Sequence, residues 1–277
     1  MSLDPKRKQF LEELCGTFRH DIIRTLHSIQ TGHPGGSLSV CEILTSLYFE
    51  KADISPENFN DKDRDIVILS KGHAAPMLYR ILAEKGFFPV SDLENLRQMG
   101  SHLQGHPCNR YTPGVEIASG PLGIAFAAAL GAAVSKKTYD DKGYVYVVVG
   151  DGETNEGVIW ETALAANKFK ADRLIAIMDR NGVQLDGTSD EIMPLLDVAA
   201  KWRSFGWNVI ECDGHDVEEI CAAVDKAKEA ADQPTMIIAY TVKGKGVSFM
   251  EGKCEWHGKP ICDSDFDMAI KELEVGK

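Results

Sequence analysis

The chain has no uninterrupted apolar run near the length needed to cross a bilayer. Its first residues, MSLDPKRKQF, lack a secretory apolar core, so the sequence predicts a cytoplasmic protein. Positive charge is in short supply: 30 Lys and Arg stand against 42 Asp and Glu, a net charge of −12. That balance argues against a nucleic-acid or anionic-membrane surface. The seven cysteines are scattered, odd in number and form no CxxC. This spacing argues against a zinc site and for free thiols in a reducing compartment, with Cys212 and Cys221 in or near the core. No internal repeat, low-complexity stretch or domain boundary interrupts the 277 residues, and a hydrophobic fraction of 44% suits one packed α/β unit.

What is present is an alternation of helical and strand patterns. Residues 6–30 carry Phe10, Leu11, Leu14, Phe18, Ile22 and Leu26 at helical spacing. The Gly- and Pro-rich turn 31–36 interrupts them, and Leu38, Ile43, Leu44, Leu47 and Tyr48 resume the helical pattern. A short strand over 65–69 precedes a helix near Met77, and 91–99 reads as a short helix. Residues 105–116 read as a structured loop. A helix rich in Ala and Gly opens at 119–123 and runs to about Val134; its small side chains predict burial on more than one face, inside a domain or at a subunit interface. Strands are expected at 144–149, 174–178, 207–211 and 235–241, with Asp216 capping a helix over 217–231 and a polar helix at the end. Such an order predicts a mainly parallel sheet with helices on both faces.

The densest chemistry lies between Tyr144 and Gly187. The run Tyr144–Val149 reads as a buried parallel strand and stops at Gly150-Asp151-Gly152. A helical pattern follows, with Val158, Ile159, Leu164 and Ala165 on one side. The next strand ends in Asp179-Arg180-Asn181-Gly182-Val183. Two strands thus deliver oxygen-bearing side chains, Asp151 and Asn181, at their carboxyl ends, where open α/β sheets bind ligands. Those two oxygens and the Val183 carbonyl form a hard donor set suited to Mg²⁺ bridging to phosphates. Gly150 and Gly152 let the backbone approach such a ligand, and the following helix can turn its amino end toward it. GDG alone is equally a capped strand-turn-helix corner.

Four histidines, His33, His73, His106 and His257, fall in loops or just past strands. Singly, each has an ordinary explanation as a surface or capping residue. Together, beside a phosphate-metal motif, they suit proton transfer and hydrogen bonding to sugar hydroxyls. His20, His27, His102 and His215 lack such company and read as structural or solvent-facing. Lys243 follows a buried strand and can answer a diphosphate as a point charge, although a solvated loop accounts equally well for its spacing.

A GDG followed about thirty residues later by a strand ending in Asn is the thiamine diphosphate motif, and across nearly its whole length the chain resembles the amino-terminal half of a transketolase. The segments that carry this are TGHPGG at 31–36, LSKGHAAPMLY at 69–79, GHP at 105–107, GPLG at 120–123, GDGETNEG at 150–157, DRNGVQLDG at 179–187, and KGKG with WHGKP within 243–260. The resemblance implies the thiamine diphosphate-binding (PP-type) fold as a single domain over 1–277. It implies that Asp151, Asn181 and the Val183 carbonyl hold Mg²⁺ or Ca²⁺. Gly150, Gly152, His73, Lys243 and His257 would meet the diphosphate or thiazolium, and Gly120, Pro121 and Leu122 the aminopyrimidine. Glu156 would couple paired sites across a dimer, and His33, His106 and His257 would line the sugar channel and move protons.

The implied reaction is transfer of a two-carbon ketol unit from a ketose phosphate to an aldose phosphate, with the cofactor as electron sink. A transketolase is more than twice as long, and its pyrimidine-binding and carboxyl-terminal domains have no counterpart here. The expectation is therefore a partner chain supplying both, in an α2β2 assembly of the pentose phosphate pathway. Some relatives carry Ser or Thr where Gly36 stands, which implies one cofactor contact fewer. Other thiamine diphosphate enzymes, resembling 1-deoxyxylulose-phosphate synthase or the 2-oxo acid dehydrogenases, remain an alternative, as does a scaffold that has lost the chemistry. The intact metal motif argues against the scaffold.

Overall fold

The computed structural model describes residues 3–275; Met1, Ser2, Gly276 and Lys277, at the polar ends noted above, lie outside them. The strands are β1 (Ile66–Leu69), β2 (Val145–Gly150), β3 (Leu174–Arg180), β4 (Asn208–Asp213) and β5 (Thr235–Tyr240), paired in parallel in the order β1-β2-β3-β5-β4. Every residue of β2 is buried, as its continuous apolar run predicts for a strand covered on both sides.

Alternation along the strands divides the core in two. Tyr146, Val148, Ile175, Ile177 and Ile237 face one side and pack with α1 (Pro5–Ile29), α3 (Cys41–Ser46), α4 (Ala75–Glu84) and α9 (Val217–Lys228). Val145, Val147, Val149, Ala176, Met178 and Ile238 face the other, toward α5 (Ile124–Tyr139), α6 (Gly157–Lys168) and α8 (Val198–Ser204). Helices therefore lie on both faces, as the sequence predicts. Register places Gly150 beside Asp179 and Asp179 beside Ala239, so the loops leaving β2, β3 and β5 emerge together.

Four local expectations need correction. The Gly- and Pro-rich turn expected at 31–36 gives way at Pro34 to a short helix, α2 (Pro34–Ser39). Residues 91–99 do not form an α-helix: a 3₁₀ turn covers Val90–Asn95. The helix opened by GPLG begins only at Ile124 and runs on to Tyr139; it buries Ala125, Phe126, Ala129, Leu130 and Ala133 on one face and leaves Ile124 and Gly131 exposed. In α6 the covered stripe is Ile159, Thr162, Ala163 and Ala166, and Leu164 is 60% exposed. In both helices small residues share the covered stripe with a few large ones, Phe126 and Leu130 in α5 and Ile159 in α6, because close approach favours them, while Ile124 and Leu164 face outward. Cys212 and Cys221 are buried and all seven cysteines are free, as expected. No helix among the described residues is long and apolar enough to cross a membrane.

Candidate active site

The carboxyl edge of the sheet forms the floor of a cleft of about 300 Å³. Asp151 leaves β2 and is 2% exposed. Its Oδ2 accepts hydrogen bonds from the Gly182 N–H at 2.7 Å and from Arg180 Nη1 at 2.8 Å, and its Oδ1 accepts from the Gly152 N–H at 2.8 Å. The Asn181 Oδ1 accepts from the Val183 N–H at 3.1 Å, a tight turn that leaves the Val183 carbonyl facing the same space. Into that space comes Lys243, whose Nζ donates to the Val183 carbonyl at 3.2 Å and the Gln184 carbonyl at 2.9 Å and contacts His257 Nδ1 at 3.1 Å. Burial, and then the nearby Lys71 ammonium, bring its pKa down to about 8.

Beneath this floor lies a fully buried ion pair. Lys71, just past β1, donates to Asp179 Oδ2 and, at 3.1 Å, to the Gly36 carbonyl. Asp179 also accepts from Ser39 Oγ at 2.6 Å and from Thr241 Oγ1. Burial alone would raise its pKa; the Lys71 ammonium together with the hydrogen bonds from Lys71, Ser39 and Thr241 outweighs it and holds the carboxyl below its ordinary value. One charged pair thus ties the ends of β1, β3 and β5 to Gly36 in the short helix Pro34–Ser39. A second buried carboxylate, Glu153, accepts from Ser70 Oγ, from the Gly123 N–H at 2.7 Å and from the Gly150 N–H at 3.0 Å. It fastens the GPLG loop to the tip of β2, and burial pushes its pKa up.

Above the floor the four loop histidines converge. His33 is central, with ring centroids 5.3 Å from His257, 5.7 Å from His73 and 6.0 Å from His106, and His73 lies 4.9 Å from His257. Burial is the leading cause that lowers all four pKa values. Arg97 adds to it at His33, which falls to about 4, and at His106. Lys243 adds to it at His257, which falls to about 3, and Lys71 at His73. All four are therefore neutral imidazoles at physiological pH, each with one donor and one acceptor nitrogen. The buried His33 Nδ1 and Gln184 Nε2 have no hydrogen-bond partner among the described residues.

The cleft lining includes His33, His73, His106, His257, Gly120, Leu122, Gly150, Asp151, Gly152, Asn181, Val183 and Lys243, all singled out from sequence. Pro121 and Glu156 fall outside it. Both are exposed, and Glu156 stands at the amino end of α6, so the chain itself does not aim either at the cleft. Of the two glycines in GDG, only Gly152 is tight: a Cβ there would meet Gln184 Cγ at 3.1 Å, whereas at Gly150 it would find ordinary contact at 3.7 Å. At Gly36 a Cβ would meet the His73 ring at 2.9 Å, so a serine at this position would move the imidazole. Sequence reading missed Lys71, Asp179, Glu153 and Gln184. The first three are charged residues within or just past strand ends, a position where burial is the exception, and only the adjoining motifs marked them.

The donor set is made of hard oxygens, two cleft-facing side chains are unpartnered, and a lysine ammonium already rests on the Val183 carbonyl. These features fit a diphosphate held through a small divalent cation. They define an α/β domain that binds a diphosphate cofactor at the carboxyl ends of its strands.

The chain belongs to the transketolase family: residues 12–275 match the family model for transketolase, thiamine diphosphate binding domain. Thiamine diphosphate with a divalent metal is accordingly its cofactor. It is 42% identical over 264 residues to the 6-deoxy-6-sulfo-D-fructose transketolase subunit SqwG of Clostridium sp. (strain MSTE9), covering 95% of this chain and 96% of the relative. It is 37% identical to an apulose-4-phosphate transketolase subunit of Phocaeicola vulgatus, covering 92% and 90%. Transketolase from Pichia stipitis, in complex with sedoheptulose 7-phosphate, superposes with a TM-score of 0.90 at 31% identity over 95% of this chain. The chain spans 40% of that transketolase, and 43% of the human transketolase to which it is 38% identical.

Proposed function

We propose that this chain is the amino-terminal subunit of a two-chain, cytoplasmic transketolase that moves a two-carbon ketol unit from a ketose phosphate to an aldose phosphate. The observation that carries the reading is four imidazoles gathered in one cleft with Asp151, Asn181 and Val183. Bound thiamine diphosphate supplies the electron sink for breaking a carbon–carbon bond beside a carbonyl. Asp151, Asn181 and the Val183 carbonyl would hold Mg²⁺, or Ca²⁺ in its place. Lys243 would exchange its carbonyl partners for phosphate oxygens. His33, His106 and His257 would hydrogen-bond the sugar hydroxyls and pass protons, since a neutral imidazole can give one from one nitrogen and take one at the other.

The partner would supply the pyrimidine-binding and carboxyl-terminal domains, two copies of each chain forming α2β2. Two relatives named as parts of a divided transketolase align with this chain over nearly their whole length, which supports the division. So does the exposed apolar side of α5 and α6, where Ile124 and Leu164 are more than half exposed. The test is turnover with the partner added, across ketose phosphates, a sulfonated ketose and pyruvate as donors. Ketose-dependent transfer that needs both chains is expected. Transfer by this chain alone at full rate would end the two-chain reading, and preference for pyruvate would favour the oxo-acid alternative.

A further inference from the structure

We infer that Arg19, Glu42 and His215 form a buried clamp that positions the Lys243 loop for the diphosphate, with His215 as the positioning residue that grips its backbone. This rests on the reading above and assigns a role to residues that do not line the cleft. Glu42, on α3, receives Arg19 of α1 through both oxygens: Nη1 on Oε1 at 2.5 Å and Nη2 on Oε2 at 2.7 Å. His215 Nδ1 lies 2.9 Å from the same Oε2, and His215 Nε2 lies 2.8 Å from the Val242 nitrogen. The Val242 N–H can only donate, so Nε2 is the acceptor; the ring proton is therefore on Nδ1 and donates to Glu42. Arg19 Nε meanwhile donates to the Lys245 carbonyl at 3.1 Å.

One carboxylate thus organises an acceptor, His215, and a donor, Arg19, that seize the chain on either side of Lys243, at Val242 and at Lys245. Between those anchors Gly244 has φ +81° and its N–H donates to the Gly35 carbonyl at 3.0 Å, so the turn also rests on the 31–36 segment. The Lys243 ammonium reaches from this turn to the Val183 carbonyl and His257. A buried ion pair adds little net stability over an apolar replacement, so its value here lies in the geometry it fixes.

The test is amide hydrogen exchange over 241–246 in the full 277-residue chain without cofactor, together with titration by thiamine diphosphate and Mg²⁺. His215→Ala should speed exchange in that segment and weaken cofactor affinity about tenfold, the scale of one lost hydrogen bond to a charged network. His215→Gln, which keeps an acceptor within reach of Val242, should restore both. Should the alanine variant fail to fold, His215→Met keeps the volume without the acceptor and carries the same expectation. Unchanged exchange and affinity in the variant without the acceptor, or equal losses in the alanine and glutamine variants, would overturn the clamp. Absence of binding by the unsubstituted chain would instead count against the cofactor reading, while the exchange measurement would still decide the clamp.

Discussion

Neutral imidazoles crowded beside two lysines have a measurable consequence at the scale of the residue. His33 and His257 titrate at about 4 and about 3 in the folded chain, against about 6.5 when exposed. Between those limits the unfolded chain binds more protons than the folded one, so stability rises with pH through the window and is complete above about 6.5. Thermal melts from pH 7 to 5 should therefore show falling stability before most carboxylates titrate. Replacing both histidines by asparagine should flatten that part of the profile. A second prediction concerns the pair under the floor. Lys71→Met leaves Asp179 charged and unpaired in a fully buried position and should cost about 3–5 kcal/mol in denaturant unfolding. Replacing the pair together should cost less, because no lone charge stays behind.

Among the elements, the turn before α5 shows how local geometry sets the cleft wall. Gly123 has φ +82°, and a Cβ there would stand 2.4 Å from Val158 Cγ1. Gly123→Ala should destabilise by about 1–3 kcal/mol, the cost of a strained left-handed residue, and loosen the Gly120–Leu122 wall. Chemical unfolding and cofactor titration would measure the two effects. The strands were legible from sequence because burial on both faces writes an unbroken apolar run, and β2 is the clearest case. The faces of α5 and α6 were not, because a helix made of small residues carries little periodic signal, and Leu164 reads as core until its position is known. Asp151, Asn181 and the histidines were legible as motif residues. Lys71, Asp179 and Glu153 were not singled out, since a charged side chain carries no sequence mark that tells a buried ion pair from a solvated one. His215 read as structural, which is where its hydrogen bonds place it, but its link to Lys243 depends on contacts 27 residues apart.

For the whole molecule the question is how this domain completes its site. His106 is exposed at the cleft, and the exposed apolar side of α5 and α6 is the proposed seat of an assembly contact. Leu164→Asp places a charge there without touching the cleft and should reduce association with the partner, read by sedimentation, while the isolated chain keeps its fold by circular dichroism. The central claim is that oxygens from two strand tips hold a divalent cation against a diphosphate. Calorimetric titration of thiamine diphosphate with and without Mg²⁺, on the unsubstituted assembly and on Asp151→Ala, tests it most directly. Metal-dependent binding that the alanine variant loses is the predicted result; binding equally tight in the variant, or indifferent to the metal, would contradict it.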